Sequence, residues 1–160
     1  MKIIFLDIDG VLKTKQGLRR AFARHGRFIP DLLDDQAVRN LNRLIQATGA
    51  KIVITSTWRY GETITSLQQI LNKKGILGTV IGKSPELGGM SDLPTHNISR
   101  GQEIDRWLEE HTEKINYVII DDDNNLTPHQ LPFAVICETE NGLADNAKYE
   151  LALKILCDKS

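Results

Sequence analysis

Short apolar runs alternate with longer segments of helical periodicity along the chain. Runs rich in branched side chains predict buried strands at residues 3–6, 51–54, 117–120 and 133–136, with a weaker strand at 79–81. Apolar side chains at helical spacing predict helices at about 34–48, 64–74, 99–108 and 145–156. Asp34 or Asp35 and Ser99 provide N-cap signals, whereas Gly49 and Gly75 mark helix ends.

This alternation predicts the fold class. Strands separated by helices pair in parallel through right-handed crossovers, so we expect an α/β fold in which helices cover both faces of a mostly parallel five-stranded sheet. Residues 11–33 are basic and predicted to be irregular, with at most one helical turn near Leu18–Arg24. Residues 84–98 contain two prolines and two adjacent glycines and are predicted to form a loop. No repeat or linker divides the chain, which predicts a single domain over residues 1–160.

Composition limits the possible environments. The chain has 41% hydrophobic and 26% charged residues, as is usual for a soluble globular protein. It has no apolar run near the roughly 18 residues that a membrane span needs, and its N-terminus does not resemble a signal peptide. Cys137 and Cys157 lack the spacing of a disulfide framework or zinc site. We therefore expect a cytoplasmic protein.

Charge is unevenly distributed along the chain. Its net charge is −1, but the first 30 residues carry seven basic and two acidic side chains, a net charge of +5. A basic segment over residues 13–27 beside an active site would favour polyanionic substrates. A solvated surface loop would explain the same pattern, and the sequence leaves both interpretations open.

Polar clusters follow three of the predicted strands. Asp7 and Asp9 follow the first strand, Thr55–Thr57 the second, and Asp121–Asp123 the fourth. The carboxyl ends of parallel strands meet at one edge of a sheet, where ligands of such folds bind. Five carboxylates brought together would repel one another unless a cation with oxygen ligands lay between them. Magnesium is the expected ion because it keeps coordination positions free for water and a substrate phosphate.

Two other ion- or phosphate-binding motifs do not fit. An EF-hand loop beginning at Asp121 would need glycine at the position of Leu126 and glutamate at the position of Pro132. A Walker loop is absent because the chain has no GxxxxGK[ST] sequence.

The polar clusters resemble the motifs of the haloacid dehalogenase (HAD) superfamily. Asp7-Ile8-Asp9-Gly10-Val11 is similar to the first motif, Thr55 to the second, Arg100 to the basic third and Asp121-Asp122 to the fourth. All four occur in order and span nearly the whole chain. The resemblance implies a three-layer Rossmann-like HAD fold and a magnesium-dependent phosphomonoester hydrolase that acts through an aspartyl-phosphate.

The resemblance also implies a role for each motif residue. Asp7 would be the nucleophile, and Asp9 would be the general acid and base whose carbonyl oxygen also binds magnesium. Thr55 would bind a phosphoryl oxygen, and Arg100 would offset charge on nucleophile and phosphoryl group. Asp122 would bind the metal directly and Asp121 would hold metal-bound water, although this pair can be reversed. Arginine replaces the commoner lysine of the third motif, and the carboxylate of Asp9 favours a phosphatase over the family's ion pumps.

Finer features suggest the class of substrate. Ser56-Thr57-Trp58-Arg59, Arg100–Ile104 and the triple aspartate resemble the HAD domain of RNA-repair proteins, and Thr55-Ser56 with the acidic pair is also similar to 5′(3′)-deoxyribonucleotidases. We therefore expect a nucleotide or nucleic-acid end phosphate as substrate. We also expect Gly10, Ser56 and Arg59 to contact it. For two side chains, two interpretations stay open: Trp58 either stacks on a base or packs between strand and helix, and Arg59 either binds a second phosphate or a leaving group or pairs with a structural carboxylate.

The intervals where HAD proteins carry a cap domain hold only about 20 and 15 unassigned residues, too few for a separate domain. We therefore expect an open, capless site. Two alternatives stay open at this point: a receiver-like phosphoacceptor domain and an inactive HAD-like binding protein. A receiver would carry its acceptor after the third strand, where Thr79–Gly82 has no aspartate.

Overall fold

The computed structural model describes residues 1–88 and 98–158 and contains one five-stranded sheet. Its strands are β1 Lys2–Leu6, β2 Lys51–Ile54, β3 Val80–Lys83, β4 Asn116–Asp121 and β5 Ala134–Ile136. They lie in the order β3-β2-β1-β4-β5, and every pairing is parallel. Each predicted strand is present, with ends shifted by at most two residues, so the predicted α/β class is confirmed.

Five α-helices are found within the described ranges. They are α1 Lys15–His25, α2 Asp35–Thr48, α3 Ile64–Lys73, α4 Arg100–Glu109 and α5 Asn146–Cys157, and short 3₁₀ helices cover Thr57–Arg59, Pro128–Phe133 and Gly142–Ala144. The predicted capping residues Asp34, Gly49 and Ser99 bound α2 and α4 as expected. In the two described stretches of chain, no helix combines the length and apolar character needed to cross a bilayer.

Helix α1 corrects the prediction that residues 11–33 are irregular. The Thr14 hydroxyl accepts a hydrogen bond from the Gly17 N–H at 2.9 Å and begins the helix. Gly26 ends it in the left-handed conformation, with φ of 66°. Ala21 is the one buried residue of α1, so the helix lacks the apolar periodicity by which it would have been predicted. The predicted loop at 84–98 falls partly on residues 89–97, outside the described ranges.

The sheet separates two apolar cores, which gives three layers. Alternate strand residues such as Ile4 and Leu6 face one core, which also contains apolar residues of α2, α3 and α5. Ile3 and Phe5 face the other core, together with Trp107 of α4. The Phe5 and Trp107 rings meet edge to face, with their centroids 5.4 Å apart. The three-layer Rossmann-like architecture expected from the sequence is therefore confirmed.

The strand register brings the ends of the three central strands to one level. Leu6 pairs with Ile54 on one side and with Ile120 on the other. The residue after Leu6 is Asp7, the residue after Ile54 is Thr55, and the residue after Ile120 is Asp121. Parallel pairing thus sets Asp7 after β1, Thr55 after β2 and Asp121 at the end of β4 side by side at the carboxyl edge of the sheet.

A buried ion pair fixes α4 against the ends of β2 and β3. Arg59 is 1% exposed, and its guanidinium lies 2.8 Å from the Glu103 carboxylate of α4. It donates five hydrogen bonds, matching the five N–H groups of a guanidinium. The acceptors are the backbone carbonyls of Thr55, Ser56, Ser84 and Pro85 and the Glu103 carboxylate. Arg59 therefore has no donor left for a substrate, which favours the interpretation in which it pairs with a structural carboxylate.

We predict that Arg59→Met lowers the free energy of unfolding by about 3–5 kcal/mol, because it leaves the Glu103 carboxylate buried without its cation. Urea denaturation measures this loss. Arg106→Gln on the same helix is the matched control: its pairs with Glu109 and Glu110 lie on the surface, so the expected loss is below about 1 kcal/mol. Equal losses for the two variants would contradict the structural role of Arg59.

Candidate active site

Three carboxylates meet at the carboxyl edge of the sheet. Oxygen atoms of Asp7, Asp121 and Asp122 all lie within 4.8 Å of one another. Asp7 and Asp121 are buried, with relative exposures of 6% and 2%, whereas Asp122 is half-buried. The strand register explains this grouping, because Asp7 directly follows β1 and Asp121 is the last residue of the adjacent β4.

Gly10 leaves the space that Asp122 occupies. Its φ is 78°, a conformation that glycine adopts without strain. A Cβ atom at this position would lie 2.2 Å from Oδ2 of Asp122. The Gly10 N–H donates to the Lys13 carbonyl at 2.9 Å. Gly10 therefore shapes the acidic cluster, and the expected contact between Gly10 and a substrate stays a prediction.

Arg100 faces two of the carboxylates from the first turn of α4. Its Nη1 lies 3.4 Å from Oδ1 of Asp7 and 3.2 Å from Oδ2 of Asp121. The helix begins with a capping box in which Ser99 and Gln102 bond each other's backbone N–H groups. This cap was predicted from the sequence, and it fixes the turn that carries Arg100.

The first turn of α4 also packs closely on the loop that follows β4. The Gly101 N–H donates to the Asn125 carbonyl at 3.0 Å, and its carbonyl accepts from the Gln130 amide at 2.9 Å. A Cβ atom on Gly101 would lie 2.5 Å from the Thr127 nitrogen. The absence of a side chain at 101 thus allows Arg100 to approach the aspartates of the β4 end.

The cluster carries more negative charge than Arg100 offsets. Burial raises the pKa of the Asp7 carboxyl, and the Arg100 guanidinium acts against this shift. Burial, followed by the Asp7 charge, raises the pKa of Asp121 to about 7. A divalent cation with oxygen ligands would favour the ionised form of all three carboxylates. The donor set therefore fits the magnesium ion that HAD domains generally use.

Asp9 lies apart from this cluster. Its side chain is 52% exposed, and Oδ1 lies 3.8 Å from the Lys13 ammonium. A parallel bridge between Asp9 and Lys13 holds this turn. The structure thus brings Asp7, Asp121, Asp122 and Arg100 together but leaves the Asp9 carboxylate at the rim. Its predicted acid–base role and the metal contact of its carbonyl stay predictions.

Two buried hydroxyl groups lie at adjacent strand ends without hydrogen-bond partners. Oγ1 of Thr55 and Oγ of Ser84 have none within the residues described. Ser84 adjoins the end of β2, since its N–H donates to the Ile54 carbonyl at 2.9 Å. An unpaired buried hydroxyl costs about 1–3 kcal/mol. This cost is consistent with the predicted contact between Thr55 and a phosphoryl oxygen. Ser84 was missed because one serine after a weak strand is not a recognisable signal.

The remaining predicted side chains after β2 face the protein interior. Ser56 is fully buried, and its hydroxyl accepts from the Trp58 N–H at 3.3 Å. Trp58 packs against the larger core, and the Lys74 ammonium lies 5.3 Å from its ring centroid. Tyr60, which the sequence reasoning passed over, is 53% exposed. The aromatic side chain that reaches the surface here is therefore Tyr60, and substrate contact by Ser56 stays a prediction.

Comparison with protein families identifies a family that carries the same motifs. Residues 3–147 match the family described as the HAD domain in Swiss Army Knife RNA repair proteins. Comparison with curated proteins and with solved structures gives no match. The family match covers most of the chain and includes all four motifs. The chain therefore belongs to the HAD-domain family of Swiss Army Knife RNA repair proteins, a membership that suggests a phosphatase-type hydrolase.

Proposed function

We propose that residues 1–160 form one phosphatase domain that hydrolyses phosphomonoesters through an aspartyl-phosphate on Asp7. The observation that carries this proposal is the meeting of Asp7, Asp121 and Asp122 within 4.8 Å, opposite Arg100. Family membership supports the same class of reaction. A carboxylate that faces the Arg100 guanidinium at the carboxyl edge of a parallel sheet suits attack on a phosphoryl group.

The first step forms the covalent intermediate. An Asp7 carboxylate oxygen attacks phosphorus, and the bond between phosphorus and the ester oxygen breaks. Asp9 donates a proton to the leaving oxygen, and its position at the exposed rim suits contact with a leaving group. Arg100 offsets charge on the phosphoryl oxygens, and the Thr55 hydroxyl donates a hydrogen bond to one of them. The alcohol leaves with the Asp9 proton.

The second step releases phosphate. Asp9 is now ionised and removes a proton from a water molecule that attacks phosphorus. The bond between phosphorus and the Asp7 oxygen breaks, which regenerates the Asp7 carboxylate and the protonated Asp9. Arg100 again offsets the charge that develops on the phosphoryl oxygens.

Asp7 and Asp122 would hold the magnesium ion, together with the Asp9 carbonyl. Asp121 already accepts a hydrogen bond from the Asp123 N–H and pairs with Arg100. These contacts support the prediction that Asp122 binds the metal directly and that Asp121 holds metal-bound water. When bound, magnesium would neutralise part of the acidic cluster and polarise the phosphoryl group.

We propose a nucleotide or nucleic-acid end phosphate as substrate. The family is described by its occurrence in RNA repair proteins, and this description supports a phosphorylated nucleic acid. Helix α1 adds exposed arginines, including Arg20 and Arg24, close in sequence to the first motif. Their positive charge favours an approaching polyanion.

We predict that Asp7→Asn lowers magnesium-dependent turnover of an aryl phosphate at least about a thousandfold, because the amide is not a nucleophile for phosphorus. The measurements are steady-state kinetics and acid-stable labelling of the protein from a radioactive phosphate ester. Circular dichroism establishes that the variant is folded.

Asp35→Asn is the matched control for this experiment. It makes the same chemical change at an exposed carboxylate at the start of α2, outside the acidic cluster. Its turnover should equal that of the unchanged protein. Turnover within tenfold of normal in Asp7→Asn would show that the nucleophile is misassigned.

We also predict a substrate preference. Oligonucleotides with a 3′- or 5′-terminal phosphate should give at least about tenfold higher kcat/KM than small sugar phosphates, because a polyanion gains contacts with the basic segment. Added salt should reduce this advantage, since phosphate contacts release counterions. Equal or better turnover of sugar phosphates at low salt would contradict the nucleic-acid assignment.

A further inference from the structure

A polar cavity adjoins the catalytic groups on the side of β2 and α4. Its volume is about 200 Å³, and Arg100 and Asp121 form the wall that it shares with the acidic cluster. Tyr60, Asp123 and Asn125 are also among its lining residues. Sites that enclose drug-sized ligands measure roughly 300–1,000 Å³, so this cavity suits a single nucleoside or sugar.

Tyr60 presents a rigid aromatic surface to this cavity. The Arg59 guanidinium carbon lies 4.8 Å from the Tyr60 ring centroid. Arg59 is itself fixed by five hydrogen bonds, one of them to Glu103. The Tyr60 N–H donates to the Thr57 carbonyl at 3.1 Å, which fixes the backbone. One face of the ring thus packs against the Arg59 guanidinium. Tyr60 is 53% exposed, and stacking on a planar group requires such exposure.

The polar groups of the cavity favour a neutral ligand with hydroxyl groups. Glu103 uses both carboxylate oxygens for the protein, one for Arg59 and one for the Leu87 N–H. Asp123 uses Oδ1 for the Asn125 N–H, whereas its other oxygen and the Asn125 amide have no partners among the described residues. A free carboxylate oxygen accepts from a sugar hydroxyl and repels a second phosphate.

From this cavity we infer a subsite for the ribonucleoside that carries the reacting phosphate, with its base stacked on Tyr60 and its sugar hydroxyls near Asp123 and Asn125. This inference deepens the proposed function and rests on it for the position of the phosphate. The acidic lining implies that further nucleotides of a strand leave the cavity in another direction.

The test compares phosphate esters that differ in the leaving group. Ribonucleoside 3′- and 5′-monophosphates place a base and a ribose in the cavity, whereas glycerol phosphate offers neither. The readout is the kcat/KM of the better nucleotide divided by the kcat/KM of glycerol phosphate. In Tyr60→Leu this ratio should fall about tenfold, because stacking on the ring is lost. Most of the fall should come from a higher KM for the nucleotide. Tyr60→Phe keeps the ring and should keep the ratio within about threefold.

Phe133→Leu is the matched control. It removes an exposed aromatic ring, 36% accessible, just before the amino end of β5, outside the cavity and outside the basic segment 13–27, so the ratio should not change. An unchanged ratio in Tyr60→Leu would overturn the subsite. An equal fall in Phe133→Leu would also overturn it, because the effect would then not belong to this cavity.

A binding measurement separates this inference from the proposed function. Calorimetric titration of Asp7→Asn with the same nucleotides should give an affinity that falls about tenfold when Tyr60→Leu is added. If the unchanged protein hydrolyses neither ester but this difference is found, the proposed function fails and the subsite stands. If hydrolysis occurs and Tyr60→Leu changes neither affinity nor ratio, the subsite fails and the proposed function stands.

Discussion

Crowding of negative charge at the edge of the sheet is the constraint on which the site depends. Asp7, Asp121 and Asp122 come within 4.8 Å, and the charge of Arg100 is shared between two of them. Burial at this edge favours the protonated forms, as the raised pKa values of Asp7 and Asp121 indicate. Further positive charge would relieve this crowding, and a divalent cation together with a phosphate ester would supply a partner for each of these groups.

The surrounding fold keeps these groups close despite their repulsion. Parallel pairing sets the ends of β1 and β4 side by side, and Gly10 and Gly101 remove the side chains that would obstruct Asp122 and the β4 loop. Arg59 and Glu103 form a separate buried ion pair, in which each carboxylate oxygen of Glu103 accepts a hydrogen bond. This pair joins α4 to the ends of β2 and β3. Arg100 lies on the same helix as Glu103, and Tyr60 follows Arg59 in the chain. The positions of Arg100 and Tyr60 therefore depend on Arg59, which need not touch the substrate.

Sequence patterns predicted the helices and strands that bury an apolar face. Helix α2 was bounded correctly because Asp34 and Gly49 enclose a regular apolar stripe. Asp7, Thr55, Asp121 and Asp122 were expected at one edge of the sheet because they follow apolar runs, and the structure has them there, whereas the Asp9 carboxylate lies apart from the cluster. Helix α1 was missed because it buries only Ala21. The pairing of Arg59 with a structural carboxylate was one of two interpretations of the sequence, but its partners could not be predicted, since its acceptors include groups 25 to 44 residues away in the chain. The contact between Arg59 and Glu103, which joins distant parts of the chain, depends on how α4 packs against the sheet.

A crystal structure of the protein with Mg²⁺ and beryllium fluoride, an analogue of a phosphoryl group, tests the central claim most directly. The account predicts one Mg²⁺ bound about 2.1 Å from carboxylate oxygens of Asp7 and of Asp122 or Asp121. It also predicts beryllium bonded to Asp7, with Arg100 against the fluorides. An ion bound away from this cluster, or a fluoride complex that leaves Asp7 free, would contradict the account.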